Sequence, residues 1–298
     1  MHIIDGHSHM LQDFAPSSAL KASVSEIEGY NIERLLRRLD AMGIARFQTM
    51  PQEMTRVQDQ WLGSNPLSAD IRRSAPDRIV AFAAAEPLDR ASALNRARLA
   101  EVERAVREDG LQGLLLTPPY GHYYSNDKRV YPFYELAVQL GIPVYFHHSH
   151  MFGSSRSCPL KYARIWLLDD LTIDFPDLRF NVEHMGYPWT EVLLSIMARS
   201  PNVYTDIAMF IGLDEKRARP PLLARNLGMA REYGVLDRVF YGSDYVGEDV
   251  DAYLGLLEAE LDHIANRLGA DMARLGYPPI TDAELEGLLS TNVQRLWG

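Results

Sequence analysis

Met1-His2-Ile3-Ile4-Asp5-Gly6-His7-Ser8-His9-Met10 opens the chain with a short apolar run that ends in two histidines. Side chains alternate faces along a β-strand. If residues 2–9 form one strand, the imidazoles of His7 and His9 point the same way. They are then close enough to share a metal ion, for which neutral imidazole is a common ligand. Taken alone, the stretch reads equally well as two surface histidines at a frayed terminus, because short motifs recur by chance. The rest of the chain decides, since it continues as strand, helix, strand, helix.

Apolar, β-branched or aromatic runs recur at 2–5, 44–49, 79–85, 112–117, 142–147, 178–184, 202–208 and 238–243. Helical patterns lie between them. In 31–42, Ile32, Leu35, Leu36, Leu39 and Met42 fall at three- and four-residue spacing and make one apolar face. Residues 90–108, 132–140, 161–173, 189–199, 217–232 and 250–268 read similarly. A last helix, 282–296, starts with Thr281 as N-cap and Glu284 three positions on, a capping box. Eight strands of buried character alternating with helices predict a parallel sheet covered by helices. Eight such units in 298 residues fit an α/β fold of the (β/α)8 TIM-barrel type with a C-terminal helix, one domain over 1–298. A doubly wound open sheet is the alternative, weakened because no Gly-x-Gly-x-x-Gly follows the first strand. Residues 50–75, with Pro51, Trp61, Gly63 and Pro66, predict a long loop with short helices after the second strand, a lid or an oligomer contact.

Composition narrows the partners. The chain is 47% hydrophobic and 23% charged, ordinary for a globular protein with a sizeable core. Its net charge of −10 offers no basic stripe for phosphates and argues against nucleic acid. No apolar stretch reaches membrane-spanning length, and Asp5 with three histidines in residues 1–9 is no signal peptide. The single cysteine, Cys158, has no partner for an internal disulfide, so a reducing, cytoplasmic setting is expected.

In such barrels the working residues sit at the C-terminal ends of the strands. Of nine histidines, His7, His9, His122, His147, His148, His150 and His184 fall at that end, as does Asp244 after the eighth strand. Three imidazoles and one carboxylate from strands one, five and eight predict a mononuclear metal site with an open position for water or a small-molecule substrate. Tyr120, His122, His148, His150, Arg156, Tyr187 and Trp189 lie on loops after strands and are expected to shape the substrate pocket. Arg156 suits a carboxylate held bidentately, although a surface arginine is the plain alternative. His148 and His150 read either as substrate contacts or as residues orienting His147. Asp5 reads as a support for His7 and His9 or as a buried, hydrogen-bonded carboxylate. Glu183, next to His184 on one strand, is expected to face away from the site.

Asp5-Gly6-His7-Ser8-His9, Gly113-Leu114-Leu115-Leu116, Leu140 through His147, Glu183-His184-Met185-Gly186, Gly242-Ser243-Asp244-Tyr245 and the Thr281-to-Trp297 segment occur in that order. Together they resemble the amidohydrolase superfamily, in the amidohydrolase-related branch that holds aminocarboxymuconate-semialdehyde decarboxylase and γ-resorcylate decarboxylase. The resemblance implies that His7, His9, His147 and Asp244 bind one divalent metal, zinc first, with manganese or another transition metal also suited. It implies that His184 polarises substrate or shuttles a proton, and that the protein is a homodimer. Binuclear members bridge their metals with a lysine on the fourth strand, but the chain's four lysines, 21, 128, 161 and 216, all lie outside 112–117, so one metal is expected. The leading function is hydrolysis of a lactone, ester or amide by metal-activated water, with Asp244 carrying the proton and His184 stabilising the oxyanion. Decarboxylation of an aromatic or unsaturated acid is the alternative. His148-Ser149-His150-Met151 departs from the His-Pro-rich continuation of the decarboxylases and favours hydrolysis. A metal-free lactonase-like barrel or a binding protein is the third reading.

Overall fold

The computed structural model describes residues 2–148, 156–212 and 219–298. Eight strands form a ring: β1 (Ile3–Asp5), β2 (Ile44–Thr49), β3 (Ile79–Ala81, continued by Ala83–Ala84), β4 (Leu114–Leu116), β5 (Val144–Phe146), β6 (Phe180–Val182), β7 (Val203–Asp206) and β8 (Val239–Phe240). Each neighbouring pair from β1 to β8 is parallel, with Asp5 beside Phe47, Phe47 beside Ile79, Ala83 beside Leu114 and Thr205 beside Val239. At the break in β3, Phe82 N donates to Thr49 O at 3.1 Å, and the ring closes where Gly6 N donates to Tyr241 O at 3.0 Å. The expected barrel is therefore the observed one. A helix follows each strand: α1 (Ile32–Ala41), α2 (Asn65–Ser74), α3 (Arg96–Arg107), α4 (Tyr131–Leu140), α5 (Leu168–Asp174), α6 (Thr190–Arg199), α7 (Pro220–Glu232) and α8 (Val250–Asn266).

Local chemistry sets the boundaries. Asn31 caps α1 through Arg34 N, and Gly43 leaves it with φ +75°, a conformation that favours glycine. Ser64 caps α2, with Pro66 in its first turn, and Asp249 caps α8 through Asp251 N and Ala252 N. Asn95 caps α3, so that helix starts at Arg96, six residues after the 90–108 pattern begins. The Thr281–Glu284 capping box forms as expected, but the last helix is interrupted by a π-turn at Gly287–Thr291.

Two apolar layers result. Ile4, Val80, Phe82, Leu115, Tyr145, Tyr204 and Phe240 fill the barrel interior, where Val293 and Leu296 of the C-terminal helix Asn292–Trp297 pack against them. A larger cluster lies between the strands and the helices. Among the described residues no helix is long and apolar enough to cross a membrane.

Two expectations need correction. Residues 2–9 are not one strand: β1 ends at Asp5, and His9–Met10 forms a separate pairing with Thr49 and Val246. The 50–75 segment is not a loop with short helices. Gln52–Glu53 and Gln60–Leu62 pair antiparallel and continue to Phe14–Pro16 as a three-stranded sheet, and 65–74 is α2 itself. Asp59, at φ +48°, helps to turn the chain back there.

A methyl group on Gly6 would lie 2.7 Å from Val293 Cγ2 and 2.8 Å from Phe240 Cδ2, while one on Gly255 of α8 meets nothing within 4 Å. Gly6→Ala is expected to lower unfolding stability by about 1–3 kcal/mol through overpacking. Gly255→Ala is expected to raise it by up to about 1 kcal/mol through helix propensity. Urea unfolding of the two variants checks both signs.

Candidate metal centre

The ends of β1 and β8 are fastened together, and that brings the first ligands into register. Asp244 N donates to His7 O at 2.8 Å and His9 N to Tyr245 O at 2.7 Å. Gly242 permits the approach, since a Cβ there would sit 2.4 Å from His7 Cβ. Behind the junction, Asp5 accepts from Ser243 N at 2.9 Å, Ser243 Oγ at 2.6 Å and Tyr253 Oη at 2.9 Å. Asp5 is thus both the support and the buried, hydrogen-bonded carboxylate of the sequence reading; burial raises it to about 6 against those hydrogen bonds.

Among the described residues, three overlapping sets of buried groups could hold an ion: His7, His9 and Asp244; His147, Glu183 and His184; and His7, His184 and Asp206. Asp244 Oδ1 lies 3.2 Å from His7 Nε2 and 3.6 Å from His9 Nε2. His147 falls in the neighbouring set, its ring 5.1 Å from that of His184, which is in turn 5.1 Å from His7. The structure therefore gathers His7, His9 and Asp244 tightly and brings His147 alongside.

Each imidazole of these three sets has its Nδ1 occupied. His7 Nδ1 meets Asp206 Oδ2 at 3.0 Å, His9 Nδ1 meets Met50 O at 2.7 Å, His147 Nδ1 meets Glu183 Oε2 at 2.6 Å, and His184 Nδ1 meets Ala208 O at 3.3 Å. Each acceptor calls for an Nδ1–H, which leaves Nε2 as a lone-pair donor. Nε2 of His7, His147 and His184, and Glu183 Oε1, are buried without a hydrogen-bond partner. Orphaned buried polar atoms cost about 1–3 kcal/mol each, so the cluster fits a bound cation. Imidazole nitrogens with a carboxylate oxygen suit zinc or manganese.

Charges in the cluster are mutually adjusted. Burial alone would raise Asp244, but His7, with His184 and His9 beyond, holds it well below the usual carboxylate range. Glu183 and Asp206 are likewise lowered against burial, both chiefly by His7. Burial would lower His7, yet Asp206 and Glu183 raise it, whereas burial wins at His9 and His184 and lowers both.

The expected substrate contacts divide. Tyr120 is half-buried with its ring 5.3 Å from His147, and burial pushes its phenol up. Trp189 shares Tyr120's cluster around Cys158 and stands edge-on to Trp166. His122 turns to Ser157 O at 2.9 Å and stacks on Tyr162, Tyr187 packs near Phe210, and Arg156 is exposed. His150 lies outside the described residues. Two carboxylates at the site went unselected. Glu183 does not face away: β6 stops at Val182, and His184 and Met185 take φ of +56° and +51°, so strand alternation ends before residue 183. Asp206 ends β7, and the strand-end rule that found Asp244 reaches it too.

A family model described as Amidohydrolase matches residues 4–298. A curated relative, 2-keto-4-carboxy-3-hexenedioate hydratase of Sphingobium sp. (strain NBRC 103272 / SYK-6), is 31% identical over 169 residues, 50% of this chain and 48% of the relative. The chain thus matches about half the length of that relative. Two solved structures share the fold. The 4-oxalomesaconate hydratase of Rhodopseudomonas palustris is 19% identical with a TM-score of 0.64, covering 99% of this chain and 95% of that one. The dihydroxybenzoic acid decarboxylase of Polaromonas sp. JS666, solved with bound manganese, is 18% identical with a TM-score of 0.56, covering 90% and 86%.

His148 does not join the ligand sets. It is fully buried against Phe146, and burial, then the neighbouring His147, push it from 6.5 down to about 3. Above pH 6.5 it is neutral whether the chain is folded or not. Below that, the unfolded chain takes up a proton that the folded protein refuses. Stability is therefore lost as pH falls toward about 3, at about 1.4 kcal/mol per pH unit from this group. Urea unfolding between pH 6.5 and 4 is expected to show a shallower decline in His148→Leu than in wild type; equal slopes would contradict this assignment.

Proposed function

The chain belongs to the amidohydrolase family, and we propose that within it this protein is a metal-dependent hydrolase directing water at the carbonyl of a small lactone, ester or amide. One observation carries the reading: four imidazoles are each anchored at Nδ1, Nε2 of His7, His147 and His184 is buried without a hydrogen-bond partner, and Asp244 Oδ1 lies 3.2 Å and 3.6 Å from Nε2 of His7 and His9. His7, His9, His147 and Asp244 would hold a divalent ion, zinc as first choice and manganese next, the latter supported by the manganese-bound Polaromonas relative. Such an ion supplies Lewis acidity and brings the pKa of a water ligand to about 7.

The chain's own residues do the rest. Asp244, ionised and adjacent to His7 and His9, accepts a proton as water is activated. His184, whose Nε2 lone pair is unpartnered, takes up that proton and in its protonated form faces the charge that develops on the substrate oxygen and passes the proton to the leaving group. Tyr120 lends an aromatic wall beside His147, which suits an aromatic or unsaturated substrate. Arg156, exposed on the loop after β5, suits a substrate carboxylate. The hydratase names among the relatives support an activated water on a carboxylated substrate, since hydration and hydrolysis both begin there. Decarboxylation is the second reading, favoured by the same His184 Nε2, which once protonated can deliver that proton to carbon. We further propose a homodimer.

Metal analysis of the purified protein is expected to find one divalent ion per chain, and a chelator to remove both the ion and the activity. His7→Ala is expected to lose the ion. His184→Ala is expected to keep it while kcat falls about 10²- to 10⁴-fold, the range of a positioned acid or base. A panel of lactones and aromatic acids, followed for acid release and for CO₂, separates hydrolysis from decarboxylation. Protein that takes up no metal on reconstitution, or full activity in His7→Ala, would overturn the proposal.

A further inference from the structure

The two carboxylate oxygens of Asp206 serve different masters. Oδ2 faces His7 Nδ1 at 3.0 Å and accepts from Asn181 Nδ2 at 2.7 Å. Oδ1 accepts from the backbone N of His184 at 2.9 Å and of Ala208 at 3.2 Å. The second of these closes a tight turn after β7, and that turn aims Ala208 O at His184 Nδ1, 3.3 Å away. Asp206 is wholly buried. His184, Met185 and Gly186 run through three successive left-handed conformations, φ +56°, +51° and +59°, which non-glycine residues keep only when held from outside. The Asp206 Oδ1 contact to His184 N is such a hold.

We propose, resting on the metal-centre reading above, that Asp206 is a positioning residue setting two imidazoles at once. Through Oδ2 it fixes the His7 tautomer with Nε2 free to ligate. Through Oδ1 and the turn at Ala208 it fixes the backbone and the tautomer of His184. Placement of a ligand and placement of the proton carrier therefore depend on one side chain. Glu183 is the internal contrast, because its carboxylate hydrogen-bonds one imidazole, His147.

Asparagine cannot replace it. In either amide orientation one partner meets an N–H where it needs an acceptor: His7 Nδ1–H in one, His184 N–H in the other. The decisive experiment records ¹⁵N-imidazole NMR spectra of wild type, Asp206→Ala and Glu183→Gln, with and without zinc, alongside zinc affinity by chelator competition. Asp206→Ala is expected to lose 10- to 100-fold in zinc affinity, the usual effect of removing a carboxylate behind a ligating histidine. It is also expected to shift the signals of both His7 and His184. Glu183→Gln is expected to shift His147 most, since Glu183 Oε2 is 2.6 Å from His147 Nδ1 and 3.8 Å from His184 Nε2. If Asp206→Ala alters neither imidazole, or only one, the proposal fails. Should that variant not fold by circular dichroism, Asp206→Asn decides: a change at His7 or His184 supports the proposal, and no change at either sinks it. Wild-type protein that takes up no zinc would sink the metal-centre reading instead, while the metal-free imidazole signals still test the role of Asp206.

Discussion

The junction between the first and last strands is the constraint on which everything else rests. Asp5 and Ser243 lie 238 positions apart, yet a buried carboxylate receives both the backbone N–H and the hydroxyl of Ser243. That pairing closes the eight-stranded ring, and it also sets His7 and Asp244 face to face. Burying Asp5 is costly, as its elevated pKa records. The cost is met by hydrogen bonds that exist only when the ring is shut. Closure of the fold and assembly of the first candidate ligands are therefore one event.

Inside that ring the protein gathers Glu183, Asp206 and Asp244, all nearly or fully buried, around imidazoles with open nitrogens. Without an ion the carboxylates are balanced chiefly by protonating His7, whose affinity for a proton they raise. A ligating imidazole must be neutral, so a metal and the His7 proton compete for the same nitrogen. The arrangement is stable enough to fold and still poorly satisfied, which is what a preorganised binding site requires.

The architecture was largely legible. Runs such as Ile142-Pro143-Val144-Tyr145-Phe146 are apolar throughout because both faces of a barrel strand are buried, and the chemistry-bearing residues His147, His184 and Asp244 stand just past such runs. What escaped depended on backbone that propensity does not encode. Alternation placed Glu183 outside the site, but the left-handed turn at His184 has its backbone N–H bonded to Asp206, 22 positions on, and no local pattern announces it. Likewise His7 and His9 converge through separate pairings with β8 and β2 and not along one strand. The two-residue spacing pointed to a pair that the fold does bring together, though not by strand alternation.

The same logic bears on which bond the site breaks. Ligands of this kind support several reactions, so the ion does not discriminate among them. The positions of the groups that move protons do. Asp244 stands against His7 and His9 on the β8 side, while His184 stands across His7 on the β6 side, its ring 5.1 Å from that of His7. A base and an acid flanking one ligand are the needs of an addition followed by departure of an oxygen or nitrogen leaving group. Decarboxylation delivers one proton to carbon and so calls on one of the two residues. We rank hydrolysis first, as a proposal, on the pairing of these two residues.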